Sequence, residues 1–145
     1  MLRIGLLALT LAGGLYAQTP LHMYKSPSCG CCGLWGGHME KNGFTLKETK
    51  TNNLYEVKIK AKVPLELASC HTAFVEGYII EGHVPAEAVK ELLAKRPEGI
   101  IGIAVPGMPL GSPGMEQGDV KDDYDVIAFD AKGNQTLFKS YRFSR

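Results

Sequence analysis

The sequence predicts one α/β domain: a central mixed sheet flanked by helices, with an extra hairpin at the C-terminus. Three observations point there. The spacing of apolar residues switches repeatedly between period two and helical period. Pro85 to Arg96 carries a full set of helix signals, with Pro85 at the first position, Glu87 in the first turn, and Lys95 and Arg96 at the end. Two strand-like runs, Tyr124 to Asp130 and Gln135 to Phe143, flank the turn residues Lys132-Gly133-Asn134.

From the start of the chain, residues 1–17 stand apart. Arg3 precedes an apolar run from Ile4 to Leu15 that ends at Tyr16-Ala17. A basic start, a short apolar core and a small residue at the end predict a secretory signal peptide cut after Ala17, leaving residues 18–145 as the mature domain. A retained N-terminal anchor is the alternative, although the run is short of the ~20 residues that span a bilayer. Leu21 to Ser26 alternates apolar and polar and reads as a strand. Ser26-Pro27-Ser28 supplies turn and cap chemistry for a helix from Cys29 to Lys41, which Asn42-Gly43 stops. Phe44 to Thr51 is a second strand. Asn53 to Val63 fits two patterns: Tyr55, Val57, Ile59, Ala61 and Val63 alternate as in a strand, whereas Leu54, Val57 and Ala61 share a helix face. Thr72 to Val84 reads as a hairpin turning near Glu76-Gly77. Val89, Leu92 and Leu93 form the apolar face of the helix that Pro97 ends. Ile100 to Val105 is a short buried strand, and a Gly/Pro-rich loop runs from Pro106 to Gly118.

Composition excludes several classes. The 145 residues suit one domain, and 45% hydrophobic residues exclude a disordered chain. Sixteen basic against fifteen acidic residues provide no field for nucleic acid. The seventeen glycines and eight prolines follow no period, so collagen and solenoid repeats are excluded. Loss of the leader would remove Arg3 and balance the charges.

Four cysteines, Cys29, Cys31, Cys32 and Cys70, are an even number in a chain predicted to be exported. Two structural disulfides are one reading. The crowding of Cys29-Gly30-Cys31-Cys32 argues against a plain staple, because neighbouring cysteines pair only with strain. A strand followed by cysteines opening a helix is instead the setting of a reactive thiol, since free N–H groups and the helix dipole favour thiolate. Cys29 and Cys32 can face the same direction, and Cys31 is turned by about 100° from its neighbour. Gly30, Gly33, Gly36 and Gly37 weaken this helix, which close packing or a need for space around the sulfurs would explain. Zinc cages use separated cysteine pairs. Three adjacent sulfurs plus a distant fourth suit thiolates that bridge soft ions, and Cu(I) prefers thiolate and thioether sulfur. Four thiolates would be neutralised by four Cu(I) ions, avoiding uncompensated buried charge.

Further donors are weighed beside them. His71 follows Cys70 directly, and His83 stands in Glu81-Gly82-His83-Val84-Pro85, where imidazole would make Cu(II) more accessible. Met108 and Met115 lie in a loop without helical periodicity and offer thioethers, or else pack over the core. His38 and Met39 lie ~10 Å along the helix from Cys31 and Cys32 and read as packing or an outer layer. Met23 and Trp35 read as core.

Tyr24-Lys25-Ser26-Pro27-Ser28-Cys29-Gly30-Cys31-Cys32, Trp35 with His38-Met39, Ser69-Cys70-His71-Thr72-Ala73, Gly77-Tyr78, Glu81 to Ala86, and Ala104 to Glu116 together resemble the signature of the CopG-type periplasmic copper-resistance family. The similarity extends from about Leu21 to Phe143. It implies a variant thioredoxin-like fold, a periplasmic location, and copper bound at Cys29, Cys31, Cys32 and Cys70. His71, His83, Met108 and Met115 would be nearby ligands. The family's proposed role is copper detoxification by Cu(I)/Cu(II) interconversion. A periplasmic copper exporter or carrier is a further expected partner. Gly30-Cys31 departs from the Gly-Pro of ordinary thioredoxins, and Pro64 is the one candidate for their cis-proline. A thiol–disulfide oxidoreductase with Cys29 as nucleophile and Cys32 as resolving thiol, or a non-redox copper carrier, are the competing expectations.

Overall fold

The computed structural model describes residues 18–143, so the expected leader peptide lies outside the described residues. Strand β1 (Thr19–Lys25) leads into helix α1 (Gly30–Lys41), strand β2 (Phe44–Lys50) and helix α2 (Leu54–Lys60). A 3-10 turn at Leu65–Leu67 precedes β3 (His71–Val75) and β4 (Tyr78–Glu81). Helix α3 (Ala86–Lys95), β5 (Ile100–Ala104), β6 (Tyr124–Asp130) and β7 (Gln135–Tyr141) complete the chain.

The strands form one seven-stranded mixed sheet in the order β2-β1-β3-β4-β5-β6-β7. β1 is parallel to β2, β4 is parallel to β5, and the remaining neighbours are antiparallel. Alternation along each strand divides the core between the two faces. Met23, Ala73, Val75, Ile80 and Ile103 pack with Trp35 and Met39 of α1 and with Val89 and Leu92 of α3. Phe74, Ile79, Ala104 and Phe129 point the other way and pack with Val63 and Leu67, which follow α2. The predicted sheet, its flanking helices and the C-terminal hairpin β6–β7 are therefore present. Among the described residues no helix is long and apolar enough to cross a membrane.

The ambiguous segment is a helix. Tyr55 and Ile59, which the strand pattern would bury together with Val57, are exposed, whereas Lys58 is buried. Leu54, Val57, Lys58 and Ala61 turn inward while Glu56 and Lys60 stay in water, a spacing of three and four that a helix produces and a strand does not. Of the glycines in α1, only Gly36 is crowded: a Cβ there would stand 2.7 Å from Leu46 Cδ2. Helix–sheet packing explains that one, and a Cβ at Gly30 or Gly37 would meet nothing within 4 Å. The notion that these glycines leave room for sulfur finds no support in that geometry. No cis peptide bond occurs among the described residues, so Pro64 is trans.

Candidate metal centre

The site forms where three chain segments meet at one end of the sheet. Cys29, the predicted first residue of the helix, is instead the N-cap of α1, one position before its observed start at Gly30, and Cys31 and Cys32 occupy the first turn. Pro27 and the bond from the Cys29 N–H to the Ser26 carbonyl (3.2 Å) turn the chain sharply out of β1. Cys70 enters from the residue before β3, and His83 from just beyond β4. The sulfurs of Cys29, Cys31, Cys32 and Cys70 all lie within 4.8 Å of one another. Cys70, His71 and His83 form a second trio of donors within the same limit. Cys70 belongs to both.

Cys29 and Cys32 are joined in a disulfide, and Cys31 and Cys70 are free thiols. Cys31 Sγ lies 3.5 Å from Cys29 Sγ, and Cys32 Sγ lies 3.6 Å from the Cys70 carbonyl oxygen. The Lys25 ammonium, itself buried, donates to the Cys29 carbonyl at 2.8 Å and holds the start of α1 against β1. Burial, reinforced by the charge of Cys31, pushes the Cys70 thiol up to about 11, so the metal-free protein carries it protonated at neutral pH. Binding a metal there must release that proton.

His83 has a defined tautomer. Its Nδ1 lies 2.6 Å from the Pro113 carbonyl, which can only accept, so Nδ1 carries the hydrogen. The Nε2 lone pair of the neutral ring then points at Cys70 Sγ, 2.9 Å away. A histidine steadied through one nitrogen by a backbone carbonyl, with the other free, is the usual presentation of a metal ligand. The His71 ring lies tilted against Trp35 with ring centroids 4.4 Å apart and brings Nδ1 to 3.4 Å from Cys70 Sγ. Its Nε2 is buried without a hydrogen-bond partner. Burial, with the charges of His83 and Lys58, holds His71 well below the usual histidine range and keeps it neutral. Burial also lowers His83.

The loop Pro106 to Gly118 closes over the site. A Cβ at Gly114 would meet the Cys31 carbonyl oxygen at 2.8 Å, the Trp35 nitrogen at 2.9 Å and His83 Nδ1 at 3.0 Å. Met115 follows and is half-buried. Met108 is 53% exposed, beside a surface groove of about 730 Å³ lined also by Pro109, Asp122 and Tyr124. Its neighbour Gly107 accepts the Ser69 hydroxyl at 2.6 Å. The structure thus brings the four cysteines and two histidines together, while Met108 faces solvent at the rim. Trp35 is core, donating from Nε1 to the Val84 carbonyl at 2.8 Å. His38 has a structural role, since its Nε2 accepts the Ala86 N–H at 3.0 Å at the start of α3.

Sequence reasoning missed Lys25, Lys58 and Glu81 behind the site. All three are ionisable and buried, and Lys25 and Glu81 appeared in the sequence only inside longer motifs. The chemistry available is that of a soft sulfur cluster with imidazole nitrogen at its inner edge, and this donor set fits copper.

Comparison with known proteins gives the same direction. The family model described as "Protein of unknown function, DUF411" matches residues 67–115, which include Cys70, His71 and His83. No curated protein matches. A solved structure titled copper resistance protein CopG, form 2, is 37% identical with a TM-score of 0.82, and the match covers 86% of this chain and 99% of that one. Form 1 of the same protein matches with 37% identity and a TM-score of 0.81, covering 86% of this chain and 98% of that one. With that identity sustained over nearly the whole of a relative, and with the cysteine cluster assembled at one end of the sheet, the chain belongs to the CopG copper-resistance family.

Proposed function

We propose that this protein is a periplasmic copper-resistance protein that binds several Cu(I) ions through Cys29, Cys31, Cys32 and Cys70. The observation that carries the reading is the convergence of these four sulfurs within 4.8 Å, with His71 and His83 beside Cys70. Full sulfur ligation needs the Cys29–Cys32 disulfide reduced, which takes two electrons and two protons and yields two thiols. Sulfur favours Cu(I), and the neutral imidazoles of His71 and His83 lie where they would stabilise Cu(II), so the same site suits interconversion of the two. Met115, half-buried in the loop over the site, would serve as an outer thioether contact, whereas Met108 faces solvent. Export through the leader at residues 1–17 would place the domain in the periplasm, on a variant thioredoxin-like frame, near a copper exporter or carrier. Anaerobic titration of the fully reduced protein with Cu(I) tests the reading. Several coppers per chain are expected, and a clean endpoint at one overturns the multinuclear site.

The Cys29–Cys32 disulfide itself favours a second reading, a thiol–disulfide oxidoreductase with Cys29 as nucleophile. Trapping a mixed disulfide on Cys29 after Cys32→Ser, unaffected by Cys70→Ser, would favour it. A non-redox carrier shares the copper site but would pass its metal on without any change of valence.

A further inference from the structure

Directly behind Cys70 and His71 lies a buried charged group that the copper and sulfur chemistry does not use. Glu81 is fully buried, Lys58 is buried, and their side chains form an ion pair. Burying two charges is expensive, and apolar residues of similar size often serve stability as well or better. Stability alone therefore does not account for this pair.

Its contacts suggest another role. One Glu81 carboxylate oxygen accepts the Ser69 N–H at 2.8 Å, and the other accepts the Thr72 hydroxyl at 2.7 Å. Ser69 and Thr72 are the residues on either side of Cys70-His71. Lys58, reaching from α2, also contacts the Thr72 hydroxyl oxygen at 2.9 Å. Just beyond Glu81, the Gly82 N–H donates to the His71 carbonyl at 3.0 Å. Gly82 has φ +77, and a Cβ there would stand 2.7 Å from both Ser69 Cβ and the Val105 carbonyl oxygen. Chain and carboxylate thus grip the Ser69–Thr72 segment at both ends, and the same strand carries on to His83.

We propose that the Lys58–Glu81 ion pair is the positioning device for the Cys70, His71 and His83 half of the metal centre. The carboxylate fixes where Cys70 stands relative to His83 and to the sulfurs of α1, and Lys58 holds that carboxylate in place. Both are positioning residues and neither is a ligand. Outer partners of metal ligands typically control affinity by ~10–100-fold.

The inference rests on the copper reading, so its test includes a metal-free measurement. Full-length Lys58→Met/Glu81→Leu replaces the pair by apolar groups of similar size, and Thr72→Val removes only the bridging hydroxyl. In metal-free protein with the disulfide intact, the alkylation rate of Cys70 is measured relative to Cys31 by peptide mass spectrometry. A general loosening moves both thiols together, whereas loss of positioning raises the Cys70/Cys31 ratio. In reduced protein, Cu(I) affinity is measured by competition with a chromophoric chelator, alongside thermal unfolding. The double variant is expected to fold, to bind Cu(I) about 10–100-fold more weakly, and to raise the ratio at least threefold. If the double variant does not fold, Thr72→Val takes its place, with at least a threefold change expected in each readout. Folded variants with an unchanged ratio and wild-type affinity overturn the proposal. If the wild-type protein binds no Cu(I), the copper reading fails by itself, and the thiol ratio alone decides the positioning role.

Discussion

Gly114→Ala tests how the loop sits on the site. Gly114 has φ +88, a backbone region in which an L-residue costs ~1–2 kcal/mol. The added Cβ would stand 2.8, 2.9 and 3.0 Å from the Cys31 oxygen, the Trp35 nitrogen and His83 Nδ1, so each contact must open by several tenths of an ångström. Two of these atoms are helix backbone, and the third belongs to a ring tied to the Pro113 carbonyl. None can swing aside cheaply. Overpacking of this kind costs ~1–3 kcal/mol, for a total of about 2–5 kcal/mol. At this chain length that corresponds to a Tm lowered by roughly 5–20 °C. Gly107→Ala is the control: its φ is +72, but nothing lies within 4 Å of the added Cβ, so only the backbone cost remains. Thermal unfolding of the two metal-free variants, followed by circular dichroism, isolates the contact term. Equal losses in both would refute the docking of this loop against α1 and His83.

Two further outcomes follow from the buried titrating groups. With the disulfide intact, alkylation of Cys70 should stay slow through neutral pH and rise with a midpoint near 11, and a midpoint at the ordinary thiol value of 9.0 would contradict its burial. His38, His71 and His83 all have pKa values lowered by burial from the ordinary 6.5, so below that pH the unfolded chain binds more protons than the folded one. Their contribution to stability is complete above pH 6.5 and is lost as the pH falls. The urea midpoint of metal-free protein should therefore drop between pH 7.5 and pH 5, and a flat profile would refute the neutral burial of these rings.

Most of the fold was legible because local pattern and tertiary position agree. The helix after Pro85 and the hairpin around Gly133 carry their own start, stop and turn signals, and both appear within a residue or two of the expected bounds. Asn53 to Val63 resisted because a charged residue there faces inward. No periodicity rule assigns Lys58 to the interior when its partner, Glu81, lies on another element. The cysteine motif pointed to thiol chemistry at the start of α1. That Cys70 and His83 would meet those sulfurs depended on sheet order, which places β3 beside β1 and β4 beside β3. Met108 illustrates the opposite limit, since a sulfur quoted from a loop carries no information about whether it turns inward or toward water.

Donors at the centre come from widely separated points of the chain, with Cys29, Cys31 and Cys32 near one end and Cys70, His71 and His83 far along it. An unfolded chain keeps the Cys29–Cys32 run and the Cys70-His71 pair apart, so the full set of donors exists only in the native state. An ion bound across this centre would act as a reversible crosslink between the start of α1 and the residues flanking β3 and β4, and occupancy would raise resistance to unfolding and to proteolysis with the logarithm of one plus ligand concentration over dissociation constant. The metal-free protein would then be the form most open to degradation.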